Sequence, residues 1–242
     1  DNEREADFLG QEYMVKAGYS SKGFVGLMEM LNSLNKEKPS SSQMLFATHP
    51  MSSQRLQAAV QRDNTVYQKS RVNPLNRDRY MDKTAALRRK KGAILKMQEG
   101  EKYLGKEAYG DAQAAFKSAI QQANQDYTAH VLMAKCMLIQ KKSSQALSYA
   151  NDAKQLYPGE PQGYYLAGLS NSAEKKYSQA FEDFKRCDEL LPGNPQLTFY
   201  KGYSLDNSGQ KQEAAQNYLA YLKQIDYQSN QYSQHAYQRL KA

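Results

Sequence analysis

Glu3 and Asp7 stand four residues apart, a spacing that puts two carboxylates on one face of a helix. Thr48-His49-Pro50 and then Arg55 follow in the same stretch of chain. A carboxylate and an imidazole are metal ligands, and a second carboxylate can orient a ligand. A guanidinium can hold a carboxylate or a developing oxyanion. Groups of these types are among those that metal-assisted hydrolysis uses, but taken alone the first motif is also an ordinary helix surface. The chain has three histidines, His49, His130 and His235, and no two have the spacing of ligands on one helix. No His-Glu-x-x-His occurs. Glu3 and His49 offer at most two ligands, whereas catalytic zinc takes three and keeps a further position open. Glu5 points elsewhere, since residues two apart on a helix do not face each other.

Periodicity supplies the elements that would position these groups. Residues 1–17 read as a helix with an apolar stripe of Ala6, Leu9, Tyr13, Met14 and Ala17, ended by Gly18. A second helix is expected from Lys22 to Asn35, with Phe24, Leu27, Met28, Met30 and Leu31 apolar. Lys36 to Gln43 is polar and holds Pro39 and Ser40-Ser41-Ser42, the composition of a loop. Ser52 or Ser53 caps a third helix carrying Leu56, Ala59 and Val60. Residues 64–81, broken by Pro74, read as a linker, and Asp82 as the cap of a long helix entering the second half.

The second half is an internal repeat. Ala112, Ala146, Ala180 and Ala214 are spaced by 34 residues, and Gly100, Ala134, Gly168 and Gly202 keep the same period. Tyr109 and Tyr177 share a column, as do Phe116, Ala150, Phe184 and Tyr218. Pro158 and Pro192 close two consecutive units. This pattern resembles the tetratricopeptide repeat. Small residues let two helices approach, the aromatic fills space between neighbouring units, and proline ends the second helix because it has no N–H to donate. Each unit leaves an apolar face bare until its neighbour stacks on it. Units are expected at 93–126, 127–160, 161–194 and 195–228, with 229–242 as a cap helix. The resemblance puts Val131, Lys135, Tyr165, Leu169, Phe199, Tyr203 and Asn207 on a concave face that binds extended peptides.

The first segment carries a resemblance of its own. A Glu-x-x-Ala-Asp helix (Glu3, Ala6, Asp7) leads into an Ala17-Gly18-Tyr19 turn, then Thr48-His49-Pro50 and Arg55. In that order these motifs make residues 1–62 similar to the HtpX-like and BepA-like zinc metallopeptidases, gluzincins that include the Ste-type prenyl-protein proteases. The resemblance implies zinc as cofactor, Glu3 as its carboxylate ligand, and Asp7 as the group that orients a ligand histidine. It places His49 near the metal, either as a further ligand blocking the water position or as a stabiliser of the oxyanion. Arg55 would support the same region or hold a carboxylate. The two histidines and the base of His-Glu-x-x-His would belong to an amino-terminal half, so the chain is expected to be a carboxy-terminal fragment, inactive alone. In the intact protein, metal-bound water would attack a peptide carbonyl.

Together these readings predict an all-α protein: a partial helical metallopeptidase segment (1–63), a basic linker and leading helix (64–92), and a tetratricopeptide solenoid with its cap (93–242). The function implied is that of a zinc endopeptidase of the bacterial periplasm or cell envelope. Its repeats would recruit protein substrates or an outer-membrane assembly machine. The alternative is a non-enzymatic binding module or chaperone-like adaptor. Composition narrows the rest. Net charge is +8, from 33 basic and 25 acidic residues. Arg71, Arg77, Arg79, Lys83, Arg88, Arg89, Lys90 and Lys91 cluster, with Asp78 and Asp82 among them. No nucleic-acid motif accompanies the cluster, so it reads as a solvated face and no nucleic-acid partner is expected. Cys136 and Cys187 make neither a disulfide framework nor a Cys-x-x-Cys site. They read as free, partly buried thiols, or as one disulfide in an oxidising compartment. A start at Asp1 without a signal segment fits a fragment or a processed product.

Overall fold

The computed structural model describes residues 2–34 and 53–241. Among these residues the chain is all-α, with fourteen α-helices and one 3-10 turn and no strand. The chain clusters into two compact units, residues 1–85 and 86–242.

In the first unit, α1 (Asn2–Lys16), α2 (Lys22–Leu34) and α3 (Ser53–Asn64) pack around Phe24, Met28 and Ala59. Gly18 terminates α1 in the left-handed region at φ +83°. There the Tyr19 N–H donates to the Met14 carbonyl at 3.1 Å and the Gly18 N–H to Val15 at 2.9 Å, capping two orphan carbonyls. The face that α1 buries differs from the expected apolar stripe. Ala6, Tyr13 and Ala17 are exposed, while Asp7 and Gln11 are 5% and 0% exposed. The buried stripe is polar because α3 supplies matching partners. Gln11 donates to the Ala59 carbonyl at 3.2 Å and accepts from Arg62 Nε at 2.8 Å. A buried amide costs little once both its ends are satisfied.

The segment expected as a linker folds back onto this unit. Gln68–Val72 is a 3-10 turn, and Ser20 donates through its N–H to the Pro74 carbonyl and through Oγ to the Arg71 carbonyl, both at 3.3 Å. Ser21 donates to Asp63, which is also ion-paired with Arg71 at 3.2 Å. Asp82 caps no long helix. It lies inside α4 (Arg77–Lys83), and Thr84 separates that helix from α5 (Ala85–Arg89), after which α6 (Lys91–Gly105) begins.

The second unit is four helical hairpins and a cap. They are α6 with α7 (Tyr109–Gln122), α8 (Tyr127–Ile139) with α9 (Ser143–Leu156), α10 (Pro161–Ala173) with α11 (Tyr177–Leu190), and α12 (Pro195–Asn207) with α13 (Lys211–Gln224), closed by α14 (Gln231–Leu240). The alanine column is the centre of each hairpin: Ala112, Ala146 and Ala180 are fully buried and Ala214 is 2% exposed. The glycine and aromatic columns turn out to be one device. A Cβ on Gly100 would lie 2.4 Å from Phe116, one on Gly168 2.6 Å from Phe184, and one on Gly202 3.1 Å from Tyr218. Each ring therefore fills the space over the glycine of its own hairpin as well as meeting neighbours. In the second hairpin both partners are alanine, Ala134 and Ala150, so the ring and the missing methyl are exchanged together.

The ends of these helices also repeat. Tyr157 and Leu191, each just before a proline, leave the helical region (ψ 82° and 84°) where α9 and α11 end. Pro161 and Pro195 then open α10 and α12, where an N–H has no intrahelical partner to lose. Inside each hairpin one residue is left-handed: Glu107, Lys141, Lys175 and Gly209 have φ of 59°, 60°, 59° and 88°, again 34 residues apart. Asn230 caps α14 with a reciprocal pair of bonds involving Ser233.

Candidate functional site

α1 and α3 bring three of the expected peptidase residues together. Glu3, Asp7 and Gln11 lie one turn apart along one face of α1, and Arg55, Ala59 and Arg62 answer them from α3. Arg55 grips Asp7 with two bonds, Nε to Oδ2 and Nη2 to Oδ1, each 2.7 Å. Its Nη1 stands 3.0 Å from Glu3 Oε2. The Arg55 side chain is 9% exposed, that of Asp7 6% and that of Glu3 41%, so the pair is sealed and Glu3 stands at its mouth. The Asp7 carboxylate, and behind it Glu3, hold the guanidinium above its ordinary proton affinity. A bidentate guanidinium fixes both the position and the plane of a carboxylate. The bidentate grip fixes Asp7, and the same guanidinium reaches the more exposed Glu3 carboxylate through its third nitrogen. Both oxygens of Asp7 accept from Arg55, its partner among the described residues.

His49 lies outside the described residues. Among the described residues no group of three His, Cys, Asp or Glu stands close enough to hold a metal ion. Glu3 is one carboxylate, and one carboxylate does not make a zinc site, so no step through a metal follows from these residues. The other histidines do structural work. His130, 7% exposed, has Nε2 2.9 Å from the Asn124 carbonyl, and His235 packs among Phe199, Tyr203 and Tyr218. Burial lowers the pKa of His235. Cys136 and Cys187 are free and buried, and burial pushes the Cys187 thiol up to about 11.

The second candidate lies on the first helices of the hairpins. Val131, Lys135, Tyr165 and Leu169 line one cavity of about 580 Å³ with Glu101, Ile139 and neighbouring side chains. That volume is ordinary for a ligand cleft, roughly 300–1,000 Å³. The remaining expected groove residues stand apart from it. Phe199 is 4% exposed, its ring 4.8 Å from that of Tyr232 on the cap helix. It belongs to the core that α12, α13 and α14 share, and its ring also lines the surface depression beside Tyr203. Tyr203 lines a shallow aromatic depression beside α14, and Asn207 donates to the Tyr203 carbonyl at 2.9 Å. Glu101 and Ile139 were not among the expected residues. Both sit on repeat columns that contain expected ones, Glu101 with Lys135, Leu169 and Tyr203, and Ile139 with Asn207.

This geometry defines a helical repeat protein preceded by a smaller helical unit. Residues 1–63 match the family model of Peptidase family M48. Comparison with curated proteins finds no match. Among solved structures, a crystal structure of MamA protein is similar with a TM-score of 0.53 at 16% identity, covering 59% of this chain and 77% of that one. MamA 41-end from Desulfovibrio magneticus RS-1 is similar with a TM-score of 0.53 at 17% identity, covering 63% and 85%. At such identities the likeness is one of fold, and the fold is a tetratricopeptide solenoid joined to an M48 segment.

Proposed function

We propose that residues 1–63 are the carboxy-terminal part of a zinc-dependent M48 endopeptidase of the bacterial cell envelope. Residues 64–92 would lead into a repeat domain, 93–242, that recruits its protein substrates or an outer-membrane assembly machine. The observation that carries this reading is the Arg55 grip on Asp7 and Glu3 within the very segment that matches the peptidase family. Glu3 would be one zinc ligand, and Arg55 would hold it at the mouth of the α1–α3 interface. The metal, when bound, would supply Lewis acidity and an activated water. His49 would stand near it, and the remaining ligands and the base would come from a His-Glu-x-x-His helix that these residues lack.

Glu3 is exposed enough to substitute without unfolding α1. In the whole protein as its gene encodes it, Glu3→Gln should abolish casein cleavage while leaving the helical circular dichroism unchanged. Equal cleavage by wild type and variant would sink the assignment. The second reading is a non-enzymatic binding module with the M48 segment as a relic, and a His-Glu-x-x-His encoded upstream in the gene would count against it. A wild-type protein that cleaves nothing yet binds peptides would support it.

A further inference from the structure

We infer that the concave face of the repeats takes an internal, uncharged stretch of extended polypeptide, anchored by one large apolar side chain, and not a free carboxy-terminus. This rests on the reading of the repeats as a recruiting surface and names what that surface selects.

The face can be read column by column. One column runs Met97, Val131, Tyr165, Phe199, a second Glu101, Lys135, Leu169, Tyr203, and a third Gly105, Ile139, Ala173, Asn207. The cavity floor is apolar, built from Val131, Leu132, Tyr165, Leu166 and Leu169. Its rim carries one acid, Glu101, and one base, Lys135, so its formal charge cancels. A free carboxylate is captured by several converging cationic or N–H donors, because a charge leaving water must be paired. Lys135 alone does not supply that set. Thr128 and Gln162, one repeat apart on the same rim, are neutral groups that can donate to or accept from peptide bonds. Such a lining matches a neutral backbone carrying an apolar side chain.

The length of the occupant follows from the architecture. The apolar cavity spans α6, α8 and α10, and α14 packs beside Phe199 beyond it. Two interaxial spacings of roughly 8–10 Å give about 20 Å. At about 3.3 Å per residue an extended chain of roughly six residues fills it.

The test is fluorescence anisotropy on the whole protein with labelled eight-residue peptides. The first is acetylated and amidated, neutral, with a central Phe. The second has Ser in place of Phe, and the third keeps Phe but ends in a free carboxylate. Burying the ring is worth about 1.5–3 kcal/mol, so the Ser peptide should bind roughly 10- to 100-fold more weakly. Freeing the carboxylate, or Lys135→Ala in the protein, should change affinity less than about threefold. Ile139→Asp, at a position 43% exposed and therefore tolerant in the fold, should weaken the Phe peptide at least about tenfold. A carboxylate peptide that binds tenfold more tightly and loses that advantage in Lys135→Ala would overturn the inference while leaving the recruiting surface standing. No binding by any of the three peptides would remove the recruiting surface and the inference with it.

Discussion

Gly168→Ala should destabilise the repeats, although alanine is the better helix former. Gly168 lies inside α10, where exchanging glycine for alanine ordinarily gains about 1 kcal/mol. Here the new Cβ would sit 2.6, 2.7 and 2.9 Å from three carbons of the Phe184 ring. Carbon–carbon contact is most favourable near ~3.5–4.0 Å, so the ring must retreat by about 1 Å. It has no room, because Phe184 is 0% exposed and stacks on Tyr200 at 5.1 Å with Tyr165 at 6.3 Å on its edge. Overpacking of this kind costs about 1–3 kcal/mol. Against a gain of about 1 kcal/mol, the net loss should be up to ~2 kcal/mol. Removing the ring should reverse the sign. Phe184→Ala alone should cost about 3–5 kcal/mol. In that background Gly168→Ala should be neutral or stabilising by up to ~1 kcal/mol, recreating the Ala134–Ala150 arrangement of the second hairpin. The coupling between the two sites should therefore be about 1–3 kcal/mol. The assay is urea unfolding by far-ultraviolet circular dichroism for wild type, both single variants and the double variant. Gly105→Ala is the control, since nothing lies within 4 Å of its Cβ position. Identical effects of Gly168→Ala in both backgrounds would refute the idea that ring and glycine are one unit.

Three further outcomes follow from the same structure. Lys141→Gly and Lys175→Gly should each raise stability by up to ~1 kcal/mol, because a side chain in the left-handed region costs about 1–2 kcal/mol, and Gly209→Ala should lower it; urea midpoints decide. Asp206 accepts two bonds from Arg239, at 2.6 and 2.7 Å, which hold its carboxyl below 3.8 in the folded state. The folded state therefore binds fewer protons there. The contribution is present above pH 3.8 and lost as pH falls through the lower folded value, so the melting-temperature gap between wild type and Asp206→Asn should close on acidification from about pH 6 to pH 2. Burial raises both thiols, that of Cys187 to about 11, so neither should react quickly with a disulfide reagent at neutral pH until denaturant is added.

The repeat was legible because it rests on period. Alanine every 34 residues, prolines after second helices and an aromatic beside a small residue survive in one sequence without any alignment. The pairing of Gly100 with Phe116 and of Gly168 with Phe184 was not legible as a unit, because two columns of equal period do not say which member of one touches which of the other. Glu107, Lys141 and Lys175 hid their left-handed turns, since only Gly209 advertises that conformation by its type. In the first unit the apolar pattern of α1 misled. Its buried face is Asp7 and Gln11, and polar residues count as buried only when their partners, Arg55 and Arg62, are known from some fifty residues away. The same gap concealed the fold-back of residues 68–75, where backbone carbonyls of Arg71 and Pro74 accept from Ser20 and leave no mark in side-chain pattern. Glu3, Asp7 and Arg55 were legible as separate candidates by family resemblance. Their union under one guanidinium is a fact of geometry.

The most direct measurement is the zinc content of the whole gene-encoded protein by inductively coupled plasma mass spectrometry, for wild type and for Glu3→Gln purified alike. The account predicts about one zinc per wild-type chain, as a single peptidase site requires, and a large deficit in the variant at unchanged helicity. A metal-free wild type, or a variant that keeps its full zinc, would contradict the assignment of Glu3 and with it the peptidase reading of residues 1–63.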